Sequence, residues 1–221
     1  MEYPKINTLF KRDENNIIMP SEFTIPEFNY LQNNIFECTE KIDGTNIRVI
    51  IDWIAEDEFT MEFRGRTDRA VIPNHLKEKL HELFIDFSPC DIFTFKEPTQ
   101  IIIYGEGYGV KIQSGGNYIS NGVDFIVFDI KVGRYWLQRD NVEDISKKLN
   151  LKVVPIIGYM TLLEAIEYVK KGFKSTIAEN KDYNAEGLVL KTPSGLLLRN
   201  GSRVITKLKT CDFTKYNNSI K

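Results

Sequence analysis

The stretch 36–51 (FECTEKIDGTNIRVII) constrains the fold more than any other part of this sequence. Two runs rich in β-formers flank Asp43-Gly44, a pair suited to a tight turn, so the stretch reads as strand, turn, strand. It also sets Lys41 at a strand end beside a glycine, where a side chain can project from a sheet. Further strand patterns lie at 58–66, 101–104 and 123–130, with 186–191 and 196–199 flanking Pro193 and Gly195 like a hairpin, and a last strand at 204–208. Pro73 opens a helical pattern through His75, Leu76, Leu80, Leu83 and Phe84, and residues 141–149 and 162–169 also carry a helical period. Strand-rich segments with a few helices predict an α+β fold with antiparallel sheets flanked by helices, rather than regular βαβ winding.

No repeat or low-complexity linker interrupts the 221 residues, a length that suits one well-buried domain and is short for two, so a single domain over 1–221 is expected. No charged leader precedes an apolar run at Met1, and no apolar stretch reaches the roughly 20 residues needed to span a bilayer. Cys38, Cys90 and Cys211 are few, scattered and odd in number, which reads as reduced thiols and a cytoplasmic protein, not a disulfide frame or zinc site. The net charge of −2 excludes a uniformly basic nucleic-acid surface. Its distribution is uneven: from residue 191 onward stand Lys191, Arg199, Arg203, Lys207, Lys209, Lys215 and Lys221 against Asp212 alone. That segment is either a phosphate-facing surface or a solvated basic tail.

Six constellations carry chemistry. Lys41-Ile42-Asp43-Gly44-Thr45-Asn46 offers a nucleophile, provided the lysine loses its proton with help from burial or cations such as Lys207 and Lys209. Arg64-Gly65-Arg66-Thr67 could clamp phosphate or sugar oxygens. Tyr104-Gly105-Glu106-Gly107-Tyr108-Gly109 is not a dinucleotide fingerprint, but its glutamate suits ribose hydroxyls. In residues 124–130 (DFIVFDI), alternation puts Phe125 and Val127 on one face and Ile126 and Phe128 on the other, and one aromatic could stack on a purine. Glu186, entering an apolar strand, needs a partner such as a divalent metal. Lys207 and Lys209, two like charges on one side of a strand, call for an anion between them. Each has an ordinary alternative: a surface lysine before a turn, a solvated strand end, a glycine-rich turn, core aromatics.

Their order is less ordinary. KIDGTN, RGRT, YGEGYG, DFIVFDI, AEGLVLK and KLK together resemble the motif series of the covalent nucleotidyltransferases, which include DNA ligases, RNA ligases and mRNA capping enzymes. Asn46, GEGYGVKIQ and LRNGSRVITKLK make the chain most similar to the RNA ligase 2 family over roughly residues 36–212. The resemblance implies an ATP-grasp-like nucleotidyltransferase domain with a central nucleotide cleft. It implies that Lys41 attacks the α-phosphate of ATP to form lysyl-AMP, that backbone groups at Glu40 and Lys41 read the adenine edge, and that Phe125 stacks on its face. Arg66 and Glu106 would hold ribose and nearby phosphate, with Asn46 near the AMP phosphate. Lys207 and Lys209 would offset the α-phosphate charge, with Lys191 and Arg203 as further candidates nearby. Glu186, with Asp43, would meet Mg2+ or Mn2+. Few protein ligands are expected, since magnesium keeps its waters and bridges phosphates.

The implied partner is RNA, as nicked duplex or hybrid ends with a 5′-phosphate and a 3′-hydroxyl, acted on by a monomer with no membrane involvement. Too few residues follow Lys209 for the OB or helical domain that larger relatives carry there. Residues 1–35 are expected to pack on the catalytic core, with Tyr3, Phe10, Phe23, Phe28 and Tyr30 as core aromatics. The rival readings are a minimal DNA ligase, a capping guanylyltransferase, and a catalytically inactive nucleic-acid-binding module.

Overall fold

The computed structural model describes residues 1–55, 58–89, 92–95, 97–113 and 118–219; Cys90 and Lys221 of the sequence reading lie outside them. In chain order the elements are β1 (Phe10–Arg12), β2 (Ile18–Phe23), α1 (Glu27–Leu31), β3 (Phe36–Lys41), β4 (Thr45–Ala55), β5 (Glu58–Gly65), α2 (Asn74–Leu83), β6 (Thr99–Gly109) and β7 (Val123–Val132). They continue with β8 (Tyr135–Trp136), α3 (Arg139–Lys148), β9 (Lys152–Val153), β10 (Ile156–Met160), α4 (Leu162–Lys171), β11 (Gly187–Lys191), β12 (Ile205–Lys209) and α5 (Thr210–Ser219). The chain forms two compact units, each built from two segments: Met1–Pro4 with Asp43–Val154, and Lys5–Ile42 with Pro155–Lys221. Both are α+β and almost wholly antiparallel, as the strand pattern predicts.

The first unit is a sheet of order β5-β4-β6-β7-β8, with β9 beside β7 as its one parallel neighbour. Alternation on β4 turns Ile47, Val49 and Ile51 to one face. Register brings Ile101 and Ile103 of β6 and Phe125, Val127 and Ile130 of β7 to the same face. Leu76 and Leu80, one helical turn apart on α2, and Val142 and Ile145 on α3 cover it. Each such side chain contributes about 1.5–3 kcal/mol by leaving water.

The turn alternative fails for Gly105 and Gly107 of YGEGYG, which lie inside β6, while Gly109 ends the strand at positive φ. A Cβ on Gly105 would fall 2.3 Å from the Phe125 ring, and one on Gly107 would fall 2.4 Å from Leu76. These glycines serve close packing of strand on aromatic and helix, not a change of chain direction.

The second unit holds a sheet of order β10-β3-β11-β12 and the small β1–β2 pair. Phe36 and Cys38 of β3, Leu188 and Leu190 of β11 and Leu208 of β12 form its apolar face, packed on Leu162, Ala165 and Val169 of α4 and Phe213 of α5. A capping box starts α4: Thr161 Oγ1 accepts from Glu164 N, and the Glu164 carboxylate accepts from Thr161 N. Cys38 and Cys211 are free thiols, and burial pushes Cys38 up to about 12.

Three sequence expectations do not hold. The strand partner of β11 is β12, with Leu188 opposite Leu208, not residues 196–199. Gly195 and Gly201, both at positive φ, turn the intervening chain twice and leave only an isolated Leu197–Arg203 bridge. Asp43-Gly44 is not a hairpin turn either. β3 pairs with β10 and β11, while β4 pairs with β5 and β6 in the other sheet. Gly44 is required by approach: a Cβ there would lie 2.3 Å from the carbonyl oxygen of Gly107. Of the amino-terminal aromatics, Tyr3, Phe10 and Phe28 are buried as expected, whereas Tyr30 is 85% exposed. No helix among the described residues is long and apolar enough to cross a membrane.

Candidate active site

The strands β3, β11 and β12 alternate in phase. Opposite the apolar face of the second unit's sheet they present Glu37, Thr39 and Lys41, then Gly187, Val189 and Lys191, then Ile205, Lys207 and Lys209. One row runs Lys41, Gly187, Lys209, and the next runs Thr39, Val189, Lys207. Four lysines predicted from separate motifs thus share one face. Gly187 between two of them cannot be larger, since a Cβ there would stand 1.9 Å from the Leu208 carbonyl oxygen.

Glu186, which immediately precedes β11, ties the row together. Lys41 Nζ donates to its Oε2 at 2.5 Å, and Lys209 Nζ pairs with Oε1 at 2.6 Å. The side chains of Lys41 and Glu186 are 20% and 14% exposed, so this network is partly desolvated and its charges are weakly screened. Burial would lower Lys209, but the hydrogen bond and charge of Glu186 outweigh it and raise the ammonium above its ordinary value. Among the described residues Lys207 has no such hydrogen-bond partner. Burial first, then repulsion from Lys41 and Lys209, lower its pKa against a weaker pull from Glu186. Three ammonium groups gathered about one carboxylate leave a local excess of positive charge, which a phosphate group would offset.

Lys41 is held in place from behind. Glu40 points to the opposite face, is 1% exposed, and accepts from Ser175 Oγ at 2.5 Å, Thr176 N at 2.9 Å and Thr176 Oγ1 at 2.7 Å. Its own N–H donates to the Pro155 carbonyl. A buried carboxylate needs such partners. Nothing in the sequence spacing marked Ser175 and Thr176, because the pairing arises only when the chain after α4 returns past β3.

In the first unit, Asn46 of β4 stands directly opposite Glu106 of β6, which stands opposite Ile126 of β7. This is the sheet face away from the helices. Among the described residues, the buried Asn46 Oδ1 has no hydrogen-bond partner. Arg48, two residues along the same face, is 1% exposed; its Nε donates to the Gly65 carbonyl and its Nη2 to Asp68 Oδ1, both at 2.7 Å. It thereby anchors the RGRT loop that carries the exposed Arg66. Sequence reading passed over Arg48, whose position in an apolar strand was the available signal. Asp43 is half-buried, and its N–H donates to the Tyr118 hydroxyl.

Phe125 is on the other side of this sheet. It pairs with Gly107, is 1% exposed, and its ring lies in the core beside Gly105. The register between β6 and β7 slips at Tyr104/Gly105, and Phe128 packs on Tyr3, which also contacts Tyr104. The aromatic on the Glu106 side is therefore Phe128. Alternation alone separated the two faces; only the partner strand shows which one carries Glu106.

Among the described residues no group of three or more His, Cys, Asp or Glu is placed to hold a metal ion by itself. Of the two carboxylates expected to meet one, Glu186 belongs to the second unit and Asp43 to the first.

A family model of RNA ligases matches residues 34–209. No curated protein matches the sequence. Among solved structures the chain is similar to the RNA ligase of Naegleria gruberi. The form with PPi superposes with a TM-score of 0.60 at 21% identity, covering 99% of this chain and 60% of that one. A mutant form with ATP and Mn gives 0.62 at 21% identity, and another with AMP and Mn gives 0.59 at 21%; each covers 98% of this chain and 60% of the other. The likeness is one of fold, and the chain spans about 60% of the length of these ligases.

Proposed function

The chain belongs to the RNA ligase family, and from that membership we propose that it is an ATP-dependent RNA ligase that works through a lysyl-AMP intermediate on Lys41. The observation that carries the reading is the row Lys41, Gly187, Lys209, with Glu186 bridging both lysines and Lys207 beside them.

Lys41 must shed a proton to attack, and Glu186 Oε2, already accepting from it, is the base in reach. The Lys41 nitrogen then forms a bond to the α-phosphorus of ATP as the bond to pyrophosphate breaks. Lys207 and Lys209 offset the charge that builds on the α-phosphate oxygens. Adenylylated Lys41 is neutral and its proton rests on Glu186, from which it returns to the lysine nitrogen when AMP leaves. A 5′-phosphate oxygen then takes the AMP from Lys41, and a 3′-hydroxyl displaces AMP to close the phosphodiester. Asn46, Glu106 and Arg66 are the groups that would hold ribose and phosphate.

The donor set suits magnesium or manganese carried in on the phosphates, with Glu186 as its protein ligand and Asp43 a second candidate. Such an ion would supply charge neutralisation at the leaving phosphates.

The test is incubation with ATP labelled at the α-phosphate and magnesium, followed by denaturing electrophoresis, for wild type and Lys41→Ala. A label that survives denaturation, is absent with γ-labelled ATP, and is absent from Lys41→Ala is the expected result. Absence of label from AMP-free wild type with either ATP or GTP would sink the enzyme reading. Nicked duplexes with RNA or DNA 3′-hydroxyl strands then decide between RNA and DNA joining.

A further inference from the structure

Among the described residues Arg48 is the only buried cation, at 1% exposure, and its neighbours on β4, Ile47 and Val49, belong to the core. A guanidinium withdrawn from water costs stability unless acceptors satisfy it. Here both acceptors come from one loop. Nε donates to the Gly65 carbonyl and Nη2 to Asp68 Oδ1, each at 2.7 Å. Arg64 stands directly opposite Arg48 in the ladder, where like charges repel, but its own Nε and Nη2 turn to Glu62 Oε2.

The two acceptors bracket Arg66 and Thr67. Gly65 ends β5, and the chain then doubles back tightly. The Ala70 N–H donates to the Thr67 carbonyl at 3.1 Å, and a Cβ on Gly65 would stand 2.7 Å from the Ala70 Cβ. Asp68 has a further tie, its N–H donating to Glu2 Oε1 at 3.3 Å. Its carboxyl is held below the ordinary value, first by the hydrogen bond from Arg48 and then by the Arg48 charge. Yet the Asp68 side chain is 74% exposed, and so is the loop around it. An apolar residue at position 48 would fill the same space without the cost of a buried charge. What the arginine adds is a fixed loop, and the exposed Arg66 is the cation fixed between its two grips.

Resting on the RNA ligase reading, we propose that Arg48 is a positioning residue for nucleotide binding: with Asp68 and the Gly65 carbonyl it clamps the loop so that Arg66 is ready to meet the ribose and phosphate of ATP. The clamp lowers the ordering cost of binding. The backbone on both sides of Arg66 is already fixed, so only its side chain remains to be ordered. Arginine suits position 48 and lysine does not, since two separate acceptors need donors on different arms of one rigid fork.

The experiment follows self-adenylylation of the full chain with α-labelled ATP over a range of concentrations. Wild type, Arg66→Ala, Asp68→Ala, Asp68→Asn and the double variant Arg66→Ala/Asp68→Ala are compared, with a melting curve for each. Asp68 is chosen over Arg48 because it lies at the surface, where substitution leaves the core intact. Arg66→Ala and Asp68→Ala should each raise the half-saturating ATP concentration about ten-fold, the scale of one charge-assisted hydrogen bond, with the maximal rate little changed. Asp68→Asn, whose amide oxygen still accepts from Arg48, should lose less than Asp68→Ala. The double variant should be no worse than Arg66→Ala alone, because Asp68 acts through Arg66. Losses that add in the double variant overturn the clamp, and so does an Asp68→Ala variant that melts lower but takes ATP like wild type. Both results leave the ligase reading standing. Wild type that takes no label from ATP brings down the ligase reading and the clamp with it.

Discussion

Lys207 is held on the lysine face at an electrostatic cost. Burial and the charges of Lys41 and Lys209 lower its pKa, and Glu186 only partly offsets them. The sign follows from linkage: a lysine whose folded pKa lies below its unfolded value costs stability when both states are protonated. That cost is full below the folded pKa and fades as pH rises towards the unfolded value near 10.4. Lys207→Met should therefore raise the melting temperature at pH 7, with the gain shrinking as the pH rises towards the unfolded lysine value, and should still impair self-adenylylation. A scan of melting temperature against pH checks this, and a variant less stable than wild type at pH 7 would refute it. The lysines were legible as residues in the sequence, since KIDGTN and KLK named them. Phe125 was not placed correctly, because alternation separates it from Phe128 but only the partner strand shows which of the two faces carries Glu106. Arg48, Ser175 and Thr176 were not found, because each acts through a partner distant in sequence.

At the scale of elements, the end of β3 is fastened by its buried side. The Glu40 carboxylate is satisfied by three donors from residues 175 and 176 while Lys41, the next residue, faces the other way. Ser175→Ala removes one donor from a carboxylate that water does not reach. The expected cost is roughly 1–3 kcal/mol by urea denaturation, with self-adenylylation reduced more than by a comparable loss of stability elsewhere in the second unit. A fully active, equally stable variant would remove Glu40 from its anchoring role. Helices α2, α3 and α4 were legible by period, and α2 also by Pro73, whereas α1 and α5 were not. The longer strands were also legible, but the short ones and the strand partners were not. Local alternation is the same whether β11 pairs with residues 196–199 or with β12, and only the turns at Gly195 and Gly201 exclude the first.

Across the whole molecule, the chain passes between its two units at residues 4/5, 42/43 and 154/155. The motif KIDGTN is cut by the second passage, with Lys41 at the end of β3 in one unit and Gly44, Thr45 and Asn46 in the other. A fragment of residues 1–154 would contain Lys41 but lack β10, β11 and β12, and so every strand that pairs with β3. Its self-adenylylation should fall at least 100-fold below the full chain, the scale of losing preorganised charge stabilisation. The labelling gel measures it directly, and comparable labelling would show that the lysine face is dispensable. At this scale the net charge of −2 was a poor guide, because what matters is the placement of a few cations on one sheet face.

The sequence alone determined the α+β class, the kinds of the main strands and helices, and a set of candidate side chains, because these depend on local period, turn chemistry and ordered motifs. Tertiary structure decided the rest. Register aligned Lys41 with Gly187 and Lys209, the switch of sheet at Asp43-Gly44 divided one motif between two units, and folding left Tyr30 exposed while its neighbour Phe28 is buried. Each of these follows from pairing between segments far apart in the chain, where hydrogen-bond ladders and close packing, rather than the local pattern, set the outcome.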